Sequence, residues 1–342
     1  DDQAPLDVIR QITAEKNTSI QEEIRQGLTN LGLNALLIPE DYGGLGLDLL
    51  FAAAVSEGLG SGVAPIAFTG SYVMAPLAIM HGGSDVQKEN YLTKISSNTV
   101  KFGIGLSEYI GAREDAKLII NGNKVNGKAL FVIDADDASH FILSDDQGTM
   151  FIVDADDSGL EVIELTSVDK TRSYVEILLN NVTAEILDNT VKNNNAIEKT
   201  IDAGRIMLAA DSVGAAQVMI DKSVEYAKER KQFGRVIGSF QAVKHMCAEM
   251  TAELEPCYAI VWHAAHCFDY IPEEARLLAC QSKSHISEVT KMVAKKATEV
   301  HGGMGFTDLL GLHYWFKRIG MNRQLLGSPE LVRDEAGKIQ GF

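Results

Sequence analysis

Apolar positions along the chain fall into three stretches of different period. Up to about residue 98 they recur at helical spacing, and Ile9, Ile12, Ile20, Ile24 and Leu28 step through the first thirty residues. GLNALLIPEDYGGLGLD (32–48) reads as a loop. Two apolar helical runs follow, LDLLFAAAVSEGLGSG and APIAFTGSYVMAPLAIM. Beyond the HGGSD turn (81–85) comes a more polar helix near 84–97.

From 99 to 190 short apolar runs alternate with turn chemistry: KLII then NGN, KALFVI then DADDAS, HFIL then DDQG, TMFIV then DADDSG, LEVIEL, and YVEILL then NN. Asn-Gly and similar pairs between β-branched runs are hairpin signals. The pattern predicts a small antiparallel β domain, a barrel or a sandwich.

From 191 onward the helical period returns over longer spans. Ile206, Ala209, Val213, Ala216, Ile220, Val224 and Ala227 step by three and four, as do Phe240, Val243, Cys247, Met250, Leu254, Val261, Ala265 and Phe268. A third helix starts at Pro272, a favoured first-turn residue, and runs to about Val300; a fourth covers roughly 308–326. Long amphipathic helices with short connections predict an antiparallel bundle. KNNNA (192–196) reads as a linker. The expected organisation is α+β: an N-terminal helical domain (1–98), a small antiparallel β-barrel (99–190) and a C-terminal four-helix bundle (191–342).

Composition narrows the partners. A net charge of −16 argues against nucleic acid and anionic membranes, which need a broad basic face, so any anion site must be local. No apolar run reaches the length of a membrane-spanning helix. The chain begins at Asp1 rather than Met, which leaves a removed targeting segment open. The four cysteines, Cys247, Cys257, Cys267 and Cys280, form no CxxC pair and fit reduced thiols in a cytoplasmic compartment.

Against that acidic background, ERKQFGRVIGSFQAVKH (229–245) collects Arg230, Lys231, Arg235, Lys244 and His245 where one long helix ends and the next begins. Such a corner can present an Arg fork, the Gln232 amide and a helix N-terminus to a phosphate, with Phe233 or Phe240 on an aromatic ring. An ordinary hairpin with a solvated basic turn is the alternative. In EVHGGMGFTD (299–308), Gly302 and Gly303 let a backbone approach a ligand closely, or simply cap a helix. Cys257, His263, His266 and Cys267 lie within eleven residues. They read as packed thiols and imidazoles rather than a metal centre, because no second ligand pair closes the site.

Taken together, RKQFGRVIGSFQ, the later VHGGMGF and IPEDYGGLGLD, in this order of domains, resemble the acyl-CoA dehydrogenase family over essentially the whole chain. The resemblance implies FAD, a carboxylate base that removes the α-proton of an acyl-CoA thioester, and hydride transfer from the β-carbon to the flavin. It implies electron-transfer flavoprotein as the acceptor. It also implies that Arg230, Gln232, Phe233 and Phe240, with Glu299, Gly302 and Gly303, contact an FAD held mostly by a neighbouring subunit. Glu299 departs from the family's usual Gln.

Other departures share one direction. The family's usual base precedes a Gly-Thr; here Leu326 precedes Gly327-Ser328. The other family position for a base, before Arg205, holds Gly204. Asp202 and Asp211 are the nearest carboxylates; Asp211 is a weak candidate base and Glu330 a backup. The flavin-binding loop is reduced to LSEYIGARED (106–115), and the strand KALFVIDAD (128–136) lacks Trp-x-Thr. What is missing is the half-site offered to the chain's own flavin; what remains is the half offered to a neighbour's. The expectation is a non-catalytic subunit of a heteromeric (α2β2) enzyme, of the divergent bacterial branch that resembles enzymes of steroid side-chain and other bulky acyl-CoA oxidation. Its partner, a second acyl-CoA dehydrogenase-like subunit, would supply the Glu base. A self-sufficient enzyme with a displaced carboxylate, and a catalytically dead structural or acyl-CoA-binding subunit, stay open.

Overall fold

The computed structural model describes residues 6–15, 18–111, 117–191 and 193–342. In chain order the helices are α1 (Leu6–Glu15), α2 (Thr18–Asn30), α3 (Leu49–Ser61), α4 (Ala75–Gly82), α5 (Asp85–Ser96), α6 (Ser107–Ile110), α7 (Asn195–Glu229), α8 (Gln241–Tyr270), α9 (Pro272–His301), α10 (Leu312–Gln324) and α11 (Pro329–Ile339). The strands are β1 (Phe102–Gly105), β2 (Leu118–Asn121), β3 (Lys124–Ile133), β4 (His140–Ser144), β5 (Met150–Asp154), β6 (Leu160–Glu164), β7 (Tyr174–Ile186), β8 (Lys231–Gln232) and β9 (Arg235–Val236). The fold is therefore α+β, with helices before and after a β-barrel. Two compact units emerge, residues 16–52 with 65–205, and residues 1–15 with 53–64 and 206–342; the division falls within α3 and within α7.

In the first of these units, strand pairing closes a ring. β3 pairs with β1, β1 with β4, β4 with β5, β5 with β7 and β7 back with β3, while β2 and β6 extend β3 and β7 outward. Closure pairs both edges of the ring strands, while β2 and β6 each keep one outer edge. The β1–β4 pair is parallel, unlike the rest, because the β2–β3 hairpin intervenes and supplies the long connection that a parallel pair needs. The NGN turn forms as expected, with Asn121 opposite Lys124. Alternate residues of the strands, among them Val125, Val132, Phe141, Phe151, Ile177 and Val182, fill the interior. Each contributes roughly 1.5–3 kcal/mol by leaving water.

Two local expectations change. Asn180 and Asn181, read as a turn, lie inside β7, where Asn181 adopts φ 56° and its N–H donates to the Asn126 side chain at a register shift against β3. An Asn in the left-handed region suits a bulge as well as a turn. The run APIAFTGSYVM is not a regular helix: Thr69–Met74 widens into a π-turn before α4. There the Asp134 carboxylate accepts the N–H groups of Gly70 (2.6 Å) and Ser71 (3.1 Å), partners sixty residues away in sequence.

In the second unit α8 and α9, thirty residues each, pack along one another with α10 and α11 against α9. α11 was not anticipated as a separate helix, although Ser328 caps it and Pro329 opens it. The linker reading also shortens, since Asn195 and Ala196 are already in α7; Lys192 lies outside the described residues. α7 is buried on every side from Thr200 to Ala216, which hides the one-sided pattern of a surface helix. At Gly60, α3 meets α7 so closely that a Cβ would stand 2.0 Å from the Asp211 carbonyl oxygen. No helix among the described residues is long and apolar enough to cross a membrane.

Candidate functional site

The basic stretch forms a corner between α7 and α8. The Arg230 N–H still donates to Tyr226 O, after which β8 and β9 pair as a minimal hairpin, Lys231 opposite Val236 and Gln232 opposite Arg235. Its two turn residues, Phe233 and Gly234, have φ of 53° and 76°, as a primed hairpin turn requires. Ile237 N–H donates to Arg230 O and closes the loop, and Phe240 stands at the N-cap of α8. A bulky side chain at positive φ stores of the order of 1 kcal/mol of strain, and here it is also 92% exposed. The Arg235 guanidinium lies 4.0 Å over the Phe240 ring, and Phe233 meets that ring edge-on at 6.2 Å. Arg230, Lys231, Gln232, Arg235, Lys244 and His245 are all exposed. The corner is thus a cationic, aromatic platform open to a ligand.

The glycine turn lies at the end of α9. Gly302 ends the helix at φ 58°, ψ −139°, and a Cβ at Gly302 or Gly303 would meet open space. Glu299 is exposed on the last turn. Between Glu299 and the glycines, His301 is buried; its Nδ1 donates to Ala297 O at 2.7 Å and its ring packs on Tyr226 at 4.7 Å. Burial holds His301 below the usual imidazole range. The Tyr226–His301 contact therefore ties the glycine turn to the helical turn that leads into Arg230. Sequence reasoning named both clusters but missed this rivet and the Arg235–Phe240 stack.

The base positions look different. Leu326 holds φ 57°, a left-handed backbone at the position where the family resemblance puts a carboxylate. Gly204 is buried within α7. Asp211 is fully buried: Arg318 Nη1 donates to its Oδ2 at 3.1 Å and Asn322 Nδ2 to its Oδ1 at 2.6 Å. Arg318, also fully buried, donates to Ala64 O as well, and Lys283 Nζ donates to Asn322 O. With both oxygens held by donors, Asp211 is a brace of the bundle and not a group positioned to take a proton. Asp202 faces Arg205 at 3.7 Å, with both side chains buried. Glu330 accepts from Arg323 at 2.8 Å; its own helix N-terminus, then Ser328 and Arg323, hold it down at about 2, so it is a weak base.

In the described start of the loop that would face the chain's own flavin, Ser107 and Glu108 are turned inward. Ser107 Oγ donates to Leu130 O, and Glu108 Oε1 accepts the Leu130 N–H at 3.2 Å, clamping α6 onto β3. Burial pushes the Glu108 carboxyl up to about 7, partly offset by its backbone and Ser107 hydrogen bonds. Next to Leu130, Phe131 adopts φ 51° at a bulge. Residues 112–116, the rest of the reduced loop, lie outside the described residues. A dinucleotide thus fits the corner and the glycine turn, whose cations, amide and open backbone suit pyrophosphate. Ser107 and Glu108 do not fit, because their hydroxyl and carboxyl are committed to Leu130.

The sequence matches the acyl-CoA dehydrogenase N-terminal domain over residues 5–99 and the acyl-CoA dehydrogenase C-terminal domain over residues 194–339. The chain belongs to the acyl-CoA dehydrogenase family. It is 32% identical to the probable acyl-CoA dehydrogenase YngJ of Bacillus subtilis, over 89% of this chain and 85% of that protein. It is 28% identical to the acyl-CoA dehydrogenase IpdE2 of Mycolicibacterium smegmatis, over 90% and 84%. The Tcur3481-Tcur3483 steroid acyl-CoA dehydrogenase superposes with a TM-score of 0.87 at 25% identity, covering 99% of this chain and 93% of that one.

Proposed function

We propose that this chain is the non-catalytic subunit of an FAD-dependent, heteromeric acyl-CoA dehydrogenase, and that it completes a flavin site belonging to a base-carrying partner of the same family. The observation that carries this reading is the contrast between an open cationic corner and base positions that hold Leu326 and Gly204. Arg230, Lys231 and Arg235 would neutralise the pyrophosphate, Gln232 would add an amide, and the backbone at Gly302 and Gly303 would lie against the ligand. FAD bound there would supply the acceptor for the hydride of the acyl-CoA β-carbon. The proton at the α-carbon goes to a glutamate of the partner. Phe233 and Phe240 exclude water from the ligand's edge, and Glu299 replaces an amide, so it contributes by its backbone and not by its charge.

A bulky acyl-CoA, of the steroid side-chain kind, is the substrate class that the likeness to the Tcur3481-Tcur3483 steroid enzyme favours. Electron-transfer flavoprotein is the proposed acceptor. The four cysteines form no disulfide, which suits a cytoplasmic location.

The test is subunit and flavin stoichiometry of the complex purified after co-expression with candidate partner chains. One FAD per heterodimer, with turnover abolished by a Glu→Gln change in the partner alone, is the expected result. A homo-oligomer holding one FAD per chain and oxidising acyl-CoA would overturn the reading.

A further inference from the structure

At the turn from α8 into α9 the fold assembles three side chains of different ligand chemistry. His263 and Cys267 lie one helical turn apart on α8, with Sγ 3.7 Å from Nδ1 and 3.8 Å from Nε2. The third member comes from another helix. The Cys267 carbonyl accepts the Ile271 N–H and the Ile271 carbonyl accepts the Glu274 N–H, so the chain reverses tightly and the first turn of α9 brings Glu274 back over the last turns of α8. The three potential ligand atoms all lie within 4.8 Å of one another.

A tetrahedral zinc with bonds of about 2.3 Å to sulfur and about 2.0 Å to nitrogen separates those two ligand atoms by roughly 3.6 Å. The His263–Cys267 spacing already meets that figure. Glu274 and His263 are exposed and free to adjust by rotamer, whereas Cys267 is fully buried and fixed. The sequence alone argued against a metal because no second ligand pair closed the Cys/His cluster, and it did not weigh a single further carboxylate ligand. That ligand lies seven residues beyond Cys267, around the corner, where helical spacing could not reveal it. His266, which the sequence grouped with the cluster, stacks on Tyr270 at 4.8 Å, and Cys257 lies ten residues back from Cys267 on α8.

We propose that His263, Cys267 and Glu274 form a binding site for a zinc-class divalent cation, which ties the end of α8 to the start of α9 and leaves its fourth position to water. Thiolate and imidazole together select a borderline metal such as zinc over magnesium or calcium, which take all-oxygen shells. The cation displaces the thiol proton on binding, so one proton leaves for each metal bound through sulfur.

The experiment uses the untagged full-length chain, stripped with chelator and titrated with cobalt(II) as a spectroscopic stand-in for zinc. The expected result is one equivalent bound, with tetrahedral ligand-field bands and a thiolate-to-cobalt charge-transfer band that zinc bleaches. Cys267→Ser abolishes the charge-transfer band, and Cys257→Ser keeps it. His263→Gln and Glu274→Gln, both at exposed positions that leave the fold intact, each weaken binding by about tenfold or more. Absence of the charge-transfer band in the wild-type chain overturns the site, as does a titration that the two exposed-ligand variants leave unchanged.

Discussion

Two regions of one helix show how differently the same residue types can be used. Near its middle α7 carries Asp211, sealed with Arg318 and Asn322 where no side chain is accessible. At its C-terminal end, about 27 Å further along at 1.5 Å per residue, it delivers Arg230 and the Phe233 turn entirely to solvent. The buried carboxylate accepts hydrogen bonds on both oxygens. The exposed cations have no carboxylate bonded to them among the contacts described, and they flank aromatic rings held in a strained turn. Charge in the interior holds the bundle together; charge at the corner lies open to solvent.

Substitutions separate the two uses. The largest effect belongs to Asp211→Ala, which strands the Arg318 guanidinium in the interior. Loss of about 3–5 kcal/mol and a fall in Tm of roughly 10 °C are expected in thermal unfolding. Were Asp211 a base instead, stability would hold and only turnover would fall.

Glu108→Gln comes next and probes the closed loop. Its carboxyl titrates near 7 in the folded chain against an ordinary value of 4.5. Between those values the native state binds the extra proton, so this group's contribution falls as pH rises from about 4.5 to 7 and stays low above that. The glutamine keeps the bond from Leu130 N–H but removes the titration. Denaturant unfolding should show the variant gaining on the wild type with rising pH, by up to about 3 kcal/mol at pH 8. A constant difference between the two across that range would mean that the loop is more open to water than the structure has it.

Arg230→Ala tests the open end. Loss of a charged hydrogen bond to pyrophosphate, worth about 1.5–3 kcal/mol, should weaken FAD retention in the assembled complex by roughly 10–100-fold. The free chain's stability should stay within about 0.5 kcal/mol, as for other exposed sites. The smallest effect is expected for Phe233→Gly, which relieves the left-handed strain. It should stabilise the free chain by up to about 1 kcal/mol while loosening flavin in the complex. Such opposed signs mark a residue kept for binding and not for folding.

The long helices α8 and α9 were legible because their apolar residues keep one period over thirty positions, and the Asn-Gly turn because its chemistry is local. Where tertiary partners decide, the sequence was mute. The π-turn at Thr69–Met74 depends on Asp134 reaching back to Gly70, which no window of neighbouring residues contains. Asp211 could be listed as a carboxylate, but its partner Arg318 lies 107 residues on. At the site, Arg230 stood out as a cation in an acidic chain, Gln232 beside it and Gly302 in a glycine turn, whereas the Tyr226–His301 contact that links them joins two helices and left no local signal.

The most direct measurement is the visible absorption spectrum of this chain purified alone and again after co-expression with candidate partner chains. A colourless lone chain that turns yellow only in the complex is the predicted result. A lone chain that is already yellow and is bleached by an acyl-CoA would contradict the shared flavin site.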